Sequence, residues 1–531
     1  MHMFCYQCQE TSNRKGCTET GICGKTDETA NLQDLLIFCL KGLAFYARQL
    51  SDEKVKREAG VLTTECLYAT VTNTNFDSKR IVEYIKKVLA ERNKLKGLVT
   101  PSGLEETENA LWEPEDDSDL FKKSLIVGVL DIKDPDERSL KETVIYCLKG
   151  ISAYAYHASV LGYHDDTIYE FIFEALYKTS IPASLDELLE LTLKTGGMTV
   201  TTMALLDKAN SETYGAPQPV MVKTGVGHKP GILVSGHELK DLELLLEQSK
   251  NEDIDIYTNG EMILAQSLPY FKKYPHLMGN YGNAWWQQTE DFASFNGPII
   301  VTSNCIVPPT EEYKNRIFTT SVAGFPGVKH IPEVKGKKDF SYVIEAAKSC
   351  DPPKDLGDTD FMSGFGHQFL ESVTDKVVDA IKAGKIKKFV VMAGCDGRDV
   401  RRTYYTQKAL ELPYDNVILT AGCAKYRYIK KVKGDIDGIP RVIDAGQCSD
   451  SYSLVAFALH LMNVFGVKSI NDLPVEFDIA WYDQKAIAIL IALVTLGVNK
   501  IKIGPTLPEY FNQYLAKKVA DRTEISTVFD E

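Results

Sequence analysis

From residue 231 onward, one short apolar run after another ends close to a residue type that binds metals. GILVSG (231–236) is followed by His237, KKFVVMAG (387–394) by Cys395 and NVILTAG (416–422) by Cys423. IPRVIDAG (439–446) reaches Cys448 one residue later, DIDIYTNG (253–260) leads to Glu261, and PIIVTSN (298–304) runs into Cys305. Such β-rich runs alternate with amphipathic stretches such as Glu238 to Lys250, which predicts parallel sheets with helical cover. In open parallel sheets, ligands bind outside the carboxyl ends of the strands. Glycine just before a donor lets the backbone approach a bulky group closely. Any one of these cysteines alone reads as core packing, because free cysteine is among the most buried residue types. Four cysteines, a histidine and a carboxylate at strand ends do not read that way. Thiolate, imidazole and carboxylate in one donor set suit iron with sulfur and oxygen chemistry, and do not suit a closed zinc shell.

A second cysteine group stands at the amino terminus. Cys5, Cys8, Cys17 and Cys23 form C-x2-C-x8-C-x5-C in a segment without apolar periodicity. Four thiolates arriving from a loop can close a tetrahedral shell around one metal or cap the corners of an iron–sulfur cube. The wide second pair favours a cluster over the tight knuckles of structural zinc. Cys39 and Cys147 lie on apolar helical faces, and Cys66 and Cys350 lack neighbouring ligand types, so these four read as packing. His157, His164, His276, His330, His367 and His460 carry no pattern and stay unassigned.

The first part of the chain is helical in texture. Leu32, Leu35, Leu36, Cys39, Leu40 and Leu43 recur at three- and four-residue steps. IFCLKGLAFYA (37–47) overlays IYCLKGISAYA (145–155), placing Cys39 on Cys147. This is an internal duplication, with the acidic stretch from Glu105 to Asp119 expected as the loop between the copies. The expected organisation is an all-α domain of two related bundles over residues 1–217, then two Rossmann-like α/β domains with mainly parallel sheets over 218–356 and 357–531. DPPKDLGDTD (351–360) is the expected linker.

Composition excludes several classes. Of 531 residues, 73 are acidic and 60 basic, and the net charge of -13 disfavours nucleic acid or an anionic membrane as partner. The longest apolar run, Ala486 to Val498, is shorter than the ~20 residues of a membrane span and reads as a buried helix. The first thirty residues lack the apolar core of a secretory signal. A cytoplasmic protein is expected, and its 12 cysteines then point to metal or redox chemistry in place of disulfides. Gly225, Gly227 and Gly231 precede a strand instead of following one, so they make a poor phosphate cradle, and no Walker A or dinucleotide fingerprint is present.

Over nearly its whole length the chain resembles the hybrid-cluster (prismane) proteins, also called hydroxylamine reductases. The resemblance is carried by MFCYQCQET, GICGK, GILVSGHEL, YTNGEM, YPHLMGNYGNAW, TSNCIVPP, AGCDGR, GDIDGIPRVIDAGQCSDSYS, WYDQKAIAIL and IGPTLP. It implies a helical domain and two Rossmann-like domains, with a hybrid cluster held between them. It places Cys5, Cys8, Cys17 and Cys23 on the ligands of an N-terminal cluster, with the short spacing of members that carry [4Fe–4S]. His237, Glu261, Cys305, Cys395, Cys423 and Cys448 fall on ligands of a hybrid [4Fe–2O–2S]-type cluster, and Cys395 on the position carried as a persulfide. One position departs: the family's W-Y-E-Q-K string reads Trp481-Tyr482-Asp483-Gln484-Lys485 here. The lost methylene retracts the carboxylate by ~1.5 Å, whereas metal–ligand distances tolerate about 0.2 Å. Asp483 therefore reaches iron only after local adjustment, or through water, or leaves a position open.

The implied activity is reduction of a small nitrogen oxide, hydroxylamine to ammonia and water or nitric oxide to nitrous oxide, in nitrosative-stress defence. Electrons would enter from an external donor protein through the N-terminal cluster. Glu261, Cys395 and Asp483 are the candidate catalytic groups. Two other readings compete: a nickel–iron enzyme like carbon monoxide dehydrogenase, and a non-catalytic iron–sulfur protein for electron transfer or redox sensing.

Overall fold

The computed structural model describes residues 2–100, 104 and 106–529. The duplicated stretches lie in two long helices, Asp27–Ala47 and Pro135–Val160. Each has a defined start: the Thr26 hydroxyl accepts from the Thr29 amide, and the Asp134 carboxylate accepts from the Asp136 and Glu137 amides ahead of Pro135. A third long helix, Leu185–Tyr214, opens on a reciprocal Ser184–Glu187 capping box. Within the acidic stretch Glu105 lies outside the described residues, and the remainder is not a plain loop. Glu108–Leu111 and Asp117–Ser124 are helical, the second capped by Asp116, because acidic residues before and within a first turn satisfy free amides and the helix dipole.

Two six-stranded sheets follow, every neighbouring pair in them parallel. The first orders its strands Leu277–Asn280, Asp255–Asn259, Gly231–Ser235, Ile299–Val301, Ile317–Thr319, Lys329–His330. The second runs Val442–Asp444, Asn416–Thr420, Lys388–Val391, Val475–Ala480, Ile501–Gly504, Ser526–Thr527. Residues 351–360 carry no regular secondary structure, and Val220–Val222 pairs antiparallel with Phe361–Ser363 just beyond them. The chain is thus multidomain, helical first and parallel α/β after.

Sequence patterning missed Val475–Ala480, an interior strand of the second sheet. Its charges Glu476 and Asp478 break the apolar run. Both are paired by Lys408, and Asp478, fully buried, lies 2.6 Å from the Lys408 ammonium. Leu277–Asn280, Lys329–His330 and Ser526–Thr527 are too short to show a period.

The apolar run near 486 is the helix Gln484–Thr495, nearly all of it buried. It packs on Pro135–Val160 and Leu185–Tyr214, so the C-terminal sheet and the helical region share one core. The approach is closest at Gly196, where a Cβ would stand 2.5 Å from the Ile491 carbonyl oxygen, while the adjacent Gly197 faces open space. Among the described residues no helix is long and apolar enough to cross a membrane. Gly196→Ala is expected to destabilise the protein by about 1–3 kcal/mol through overpacking. Gly197→Ala is expected to stabilise it by up to about 1 kcal/mol by relieving the helix of a glycine. Denaturant titration of the two variants checks both signs.

Candidate metal centres

The carboxyl ends of the two sheets face each other. Tyr426 in the second α/β region donates to the Gly260 carbonyl of the first at 2.7 Å, and the Trp285 indole donates to the Asp396 carbonyl at 3.0 Å. Into this seam seven strand ends deliver His237, Glu261, Cys305, Cys395, Cys423, Cys448 and Asp483. Glycine precedes both Cys423 and Cys395 for steric reasons: a Cβ on Gly422, at φ +85°, would collide with the Gly394 carbonyl oxygen, and one on Gly394, at φ +113°, with the Ala480 carbonyl oxygen.

His237, Glu261 and Cys448 offer donor atoms all within 4.8 Å of one another, and all three residues are buried. The Cys448 amide donates to Glu261 Oε2 at 2.7 Å, while Glu261 Oε1 is buried with no partner. An orphaned carboxylate oxygen in a dry site is costly unless something positive meets it. His237 Nδ1 lies 2.8 Å from the Asn304 carbonyl, which fixes the tautomer and leaves the Nε2 lone pair facing the Lys485 ammonium at 3.1 Å, with Cys448 and Glu261 just beyond. Burial, then the charges of Lys485 and His157, hold the His237 imidazole far below its usual range, so it is neutral and a competent ligand.

Burial also pushes every thiol of this group up. Cys448 is raised to about 12, and Cys305, Cys395 and Cys423 rise as well, with Asp483 adding repulsion at Cys305 and Cys395 and Glu261 at Cys423. Four protonated thiols in one dry pocket become thiolates when a metal supplies the missing positive charge. The donor set therefore fits a soft, multi-metal group with one imidazole and carboxylate oxygen.

Asp483 is placed differently from the other six. Its Oδ1 caps the helix Gln484–Thr495, accepting from the Lys485 amide at 2.9 Å and the Ala486 amide at 3.4 Å. Its Oδ2 accepts from Asn304 Nδ2 at 3.2 Å, and Cys395 Sγ lies 3.8 Å from Oδ1. The shorter side chain suits the cap position, where aspartate ranks among the best residues.

The N-terminal cysteines lie in one short segment, and only His237, Glu261 and Cys448 bring three donor atoms within 4.8 Å of one another among the described residues. Cys5 and Cys17 pair as an antiparallel bridge, and the Ser12 amide donates to Cys17 Sγ at 3.4 Å. Burial, then the neighbouring Cys23 and Cys5, raises the Cys8 thiol, and burial raises Cys23. Cys8 shares one apolar cluster with Trp285, Cys423 and Tyr482, against which Cys305 and Cys395 also pack. Cys39, Cys66 and Cys147 are fully buried among helices, and Cys350 is partly exposed.

A model of the Prismane/CO dehydrogenase family matches residues 3–530. The chain belongs to this family. It is 53% identical to a hydroxylamine reductase of Halothermothrix orenii, over 99% of this chain and 98% of that one. It is 50% identical to hydroxylamine reductases of Desulfovibrio desulfuricans and Methanocaldococcus jannaschii, over 99% of this chain and 97% and 98% of theirs. In fold it resembles a carbon monoxide dehydrogenase from Thermococcus sp. AM4, with TM-score 0.56 at 17% identity, covering 98% of this chain and 88% of that one.

In this member of the Prismane/CO dehydrogenase family, sequence reading missed the residues that hold the donors. Asn304 accepts from the Tyr68 hydroxyl at 2.9 Å and the Lys485 ammonium at 3.1 Å, and donates to Cys305 Sγ at 3.4 Å and to Asp483. Tyr68 also meets His157 Nε2 at 3.0 Å, and His157 Nδ1 lies 2.9 Å from Glu238. Adjacency to Cys305 and Asp483 could have flagged Asn304 and Lys485; nothing local marks Tyr68 or His157. Asn304→Leu strands the partners of a buried amide and is expected to cost about 1–3 kcal/mol. Urea denaturation of the metal-free protein, compared with wild type, measures that loss.

Proposed function

We propose that this chain is an iron–sulfur oxidoreductase that reduces hydroxylamine to ammonia and water, with nitric oxide to nitrous oxide as a related activity. The observation that carries the reading is the seam of six strand-end donors, four of them buried and Cys305 and Cys395 partly buried, around an orphaned carboxylate oxygen, in a chain about half identical to hydroxylamine reductases over its full length. Cys5, Cys8, Cys17 and Cys23 would hold a [4Fe–4S] cluster. His237, Glu261, Cys305, Cys395, Cys423 and Cys448 would hold a hybrid [4Fe–2O–2S]-type cluster, with Asp483 beside it. Residues 1–217 would form the helical domain as two related bundles, and 218–356 and 357–531 two Rossmann-like domains.

When bound, the hybrid cluster would supply electrons and an open iron site for a nitrogen–oxygen ligand. The chain's own residues do the rest. Burial of His237, Glu261, Cys423, Cys448 and Asp483 keeps most of the donor set from bulk water. The Lys485 ammonium, 4.0 Å from the Asp483 carboxylate, donates to Asn304 and faces His237 Nε2 at 3.1 Å. It places a fixed positive charge where negative charge accumulates. Glu261 offers a carboxylate oxygen, a donor that exchanges more readily than a thiolate and could carry a proton when displaced. Trp285 and Tyr482, with ring centroids 4.4 Å apart, lie in the apolar cluster that joins Cys8 to Cys423. That contact supports electron entry at the N-terminal cysteines from an external donor protein.

Iron, acid-labile sulfide, nickel and zinc per chain, measured on anaerobically purified protein, test the assignment. About eight irons, with sulfide clearly fewer and with hydroxylamine turnover, are expected. Nickel in stoichiometric amount would favour a carbon monoxide dehydrogenase-type site, and full clusters without turnover a redox sensor or carrier. Cys395→Ala is expected to lose most turnover while retaining the N-terminal cluster's absorption; unchanged turnover would count against a role for that sulfur.

A further inference from the structure

The helical duplication extends beyond its apolar core. Asp34-Leu35-Leu36-Ile37-Phe38-Cys39-Leu40-Lys41 in the first copy corresponds to Glu142-Thr143-Val144-Ile145-Tyr146-Cys147-Leu148-Lys149 in the second. An acid and a lysine seven residues apart lie two turns apart on one helical face. A polar cavity of about 220 Å³ separates the two helices, and Asp34, Lys41, Lys141 and Glu142 line it. A second hollow of about 230 Å³ shares Asp34, Gly128 and Asp131 with it and reaches the surface beside the exposed His2 and Leu125. Gly128, at φ +132°, gives the Asp34 carboxylate its room, since a Cβ there would stand 2.5 Å from Oδ2.

The second hollow is lined in part by Met3 and Phe4 of the N-terminal cysteine segment, and Lys149, outside the lining of both hollows, meets that segment directly. Lys149 is 3% exposed, and its ammonium donates to Gln7 Oε1 at 2.7 Å and to the Thr70 carbonyl at 3.4 Å. Gln7 lies between Cys5 and Cys8. Asp34 and Glu142 face Lys41 and Lys149 from the two helices and Lys25 from the cysteine segment. Arg138 also faces Glu142, as do Tyr146 and Tyr6. Asp131 and Lys141 face Lys41, and Glu108 completes the wall. Burial and the like charge of Glu142 push Asp34 up to about 7. Burial raises Glu142 and brings Lys41 and Lys149 down to about 8. Asp34, Lys41 and Lys149 thus exchange protons closer to neutral pH than free carboxylates and lysines do, and Glu142 is shifted in the same direction as Asp34.

We propose that Asp34, Lys41, Glu142 and Lys149 form a solvent-connected proton-binding site that takes up a proton when the N-terminal cysteine centre receives an electron. The proposal rests on the reading that Cys5, Cys8, Cys17 and Cys23 hold a redox cluster. The electron comes from the external donor protein. The proton comes from solvent through the hollow, and the bond formed is O–H on an Asp34 or Glu142 carboxylate, or N–H on a neutral lysine. The coupling is Coulombic: negative charge added next to Lys149 raises the proton affinity of all four groups, and the low-dielectric interior screens it weakly.

The test is a redox titration of the N-terminal cluster in the anaerobically prepared holoprotein from pH 6 to 9. One proton per electron changes the reduction equilibrium tenfold per pH unit, so the midpoint is expected to fall with rising pH by up to 59 mV per unit. In Asp34→Asn/Glu142→Gln that slope is expected to flatten. A pH-independent midpoint in wild type, or an undiminished slope in the double variant, would overturn the proposal. Infrared titration of metal-free wild-type protein is independent of the cluster and of how the variants fold. A carboxyl group titrating near pH 7 is expected, and its absence would also overturn the proposal. A chain with no N-terminal cluster would instead refute the functional reading, and with it the redox coupling, while the infrared titration would still report the proton site.

Discussion

Two parallel sheets meet carboxyl end to carboxyl end, and the donors they deliver are taken out of water together. Desolvating thiols, carboxylates and an imidazole in one place costs several kcal/mol per ionised group unless each meets a partner. Much of the surrounding structure answers that cost. Lys425, fully buried, pairs with the buried Asp444 at 2.7 Å behind Cys423 and Glu261, and Lys485 stands on the opposite side. Asn304 links Lys485, Tyr68, Asp483 and Cys305 through its amide and His237 through its carbonyl. With a cationic cluster core in place, the same buried groups change from a liability into a ligand shell.

The helical region closes this seam. Tyr68 and His157 reach the donors from two of its helices, and the helix Gln484–Thr495 is embedded between two others. Helical, first-sheet and second-sheet segments thereby hold the site jointly. A shift of any one would move donors relative to the rest, so the packing that stabilises the chain also sets the geometry of the centre.

The N-terminal cysteine segment connects in two directions. Through Cys8 it joins the apolar cluster of Trp285, Tyr482 and Cys423, a dry path toward the central donors. Through Met3 and Phe4 it borders the polar hollow that opens to the surface, and Gln7 accepts from Lys149 of the second duplicated helix. Electron traffic favours the first kind of surroundings and proton traffic the second, and the segment lies where they meet.

The sequence by itself determined the strand–glycine–donor pattern, the N-terminal cysteine spacing and the helical duplication, because each is a relation among near neighbours that backbone geometry enforces. Hence GILVSG and NVILTAG were readable as strands, with His237 and Cys423 placed at their carboxyl ends. Val475–Ala480 was not, because its charges are neutralised by Lys408 from a distant segment. Nor were Tyr68 or His157 as supports, because their partners lie 81 to 236 residues away in the chain. The identity of residue 483 was plain from the chain; that its carboxylate caps a helix and bonds to Asn304 was decided only by the fold. Contacts of this kind depend on how helices and sheets pack, and packing is a property of the whole chain that no local pattern encodes.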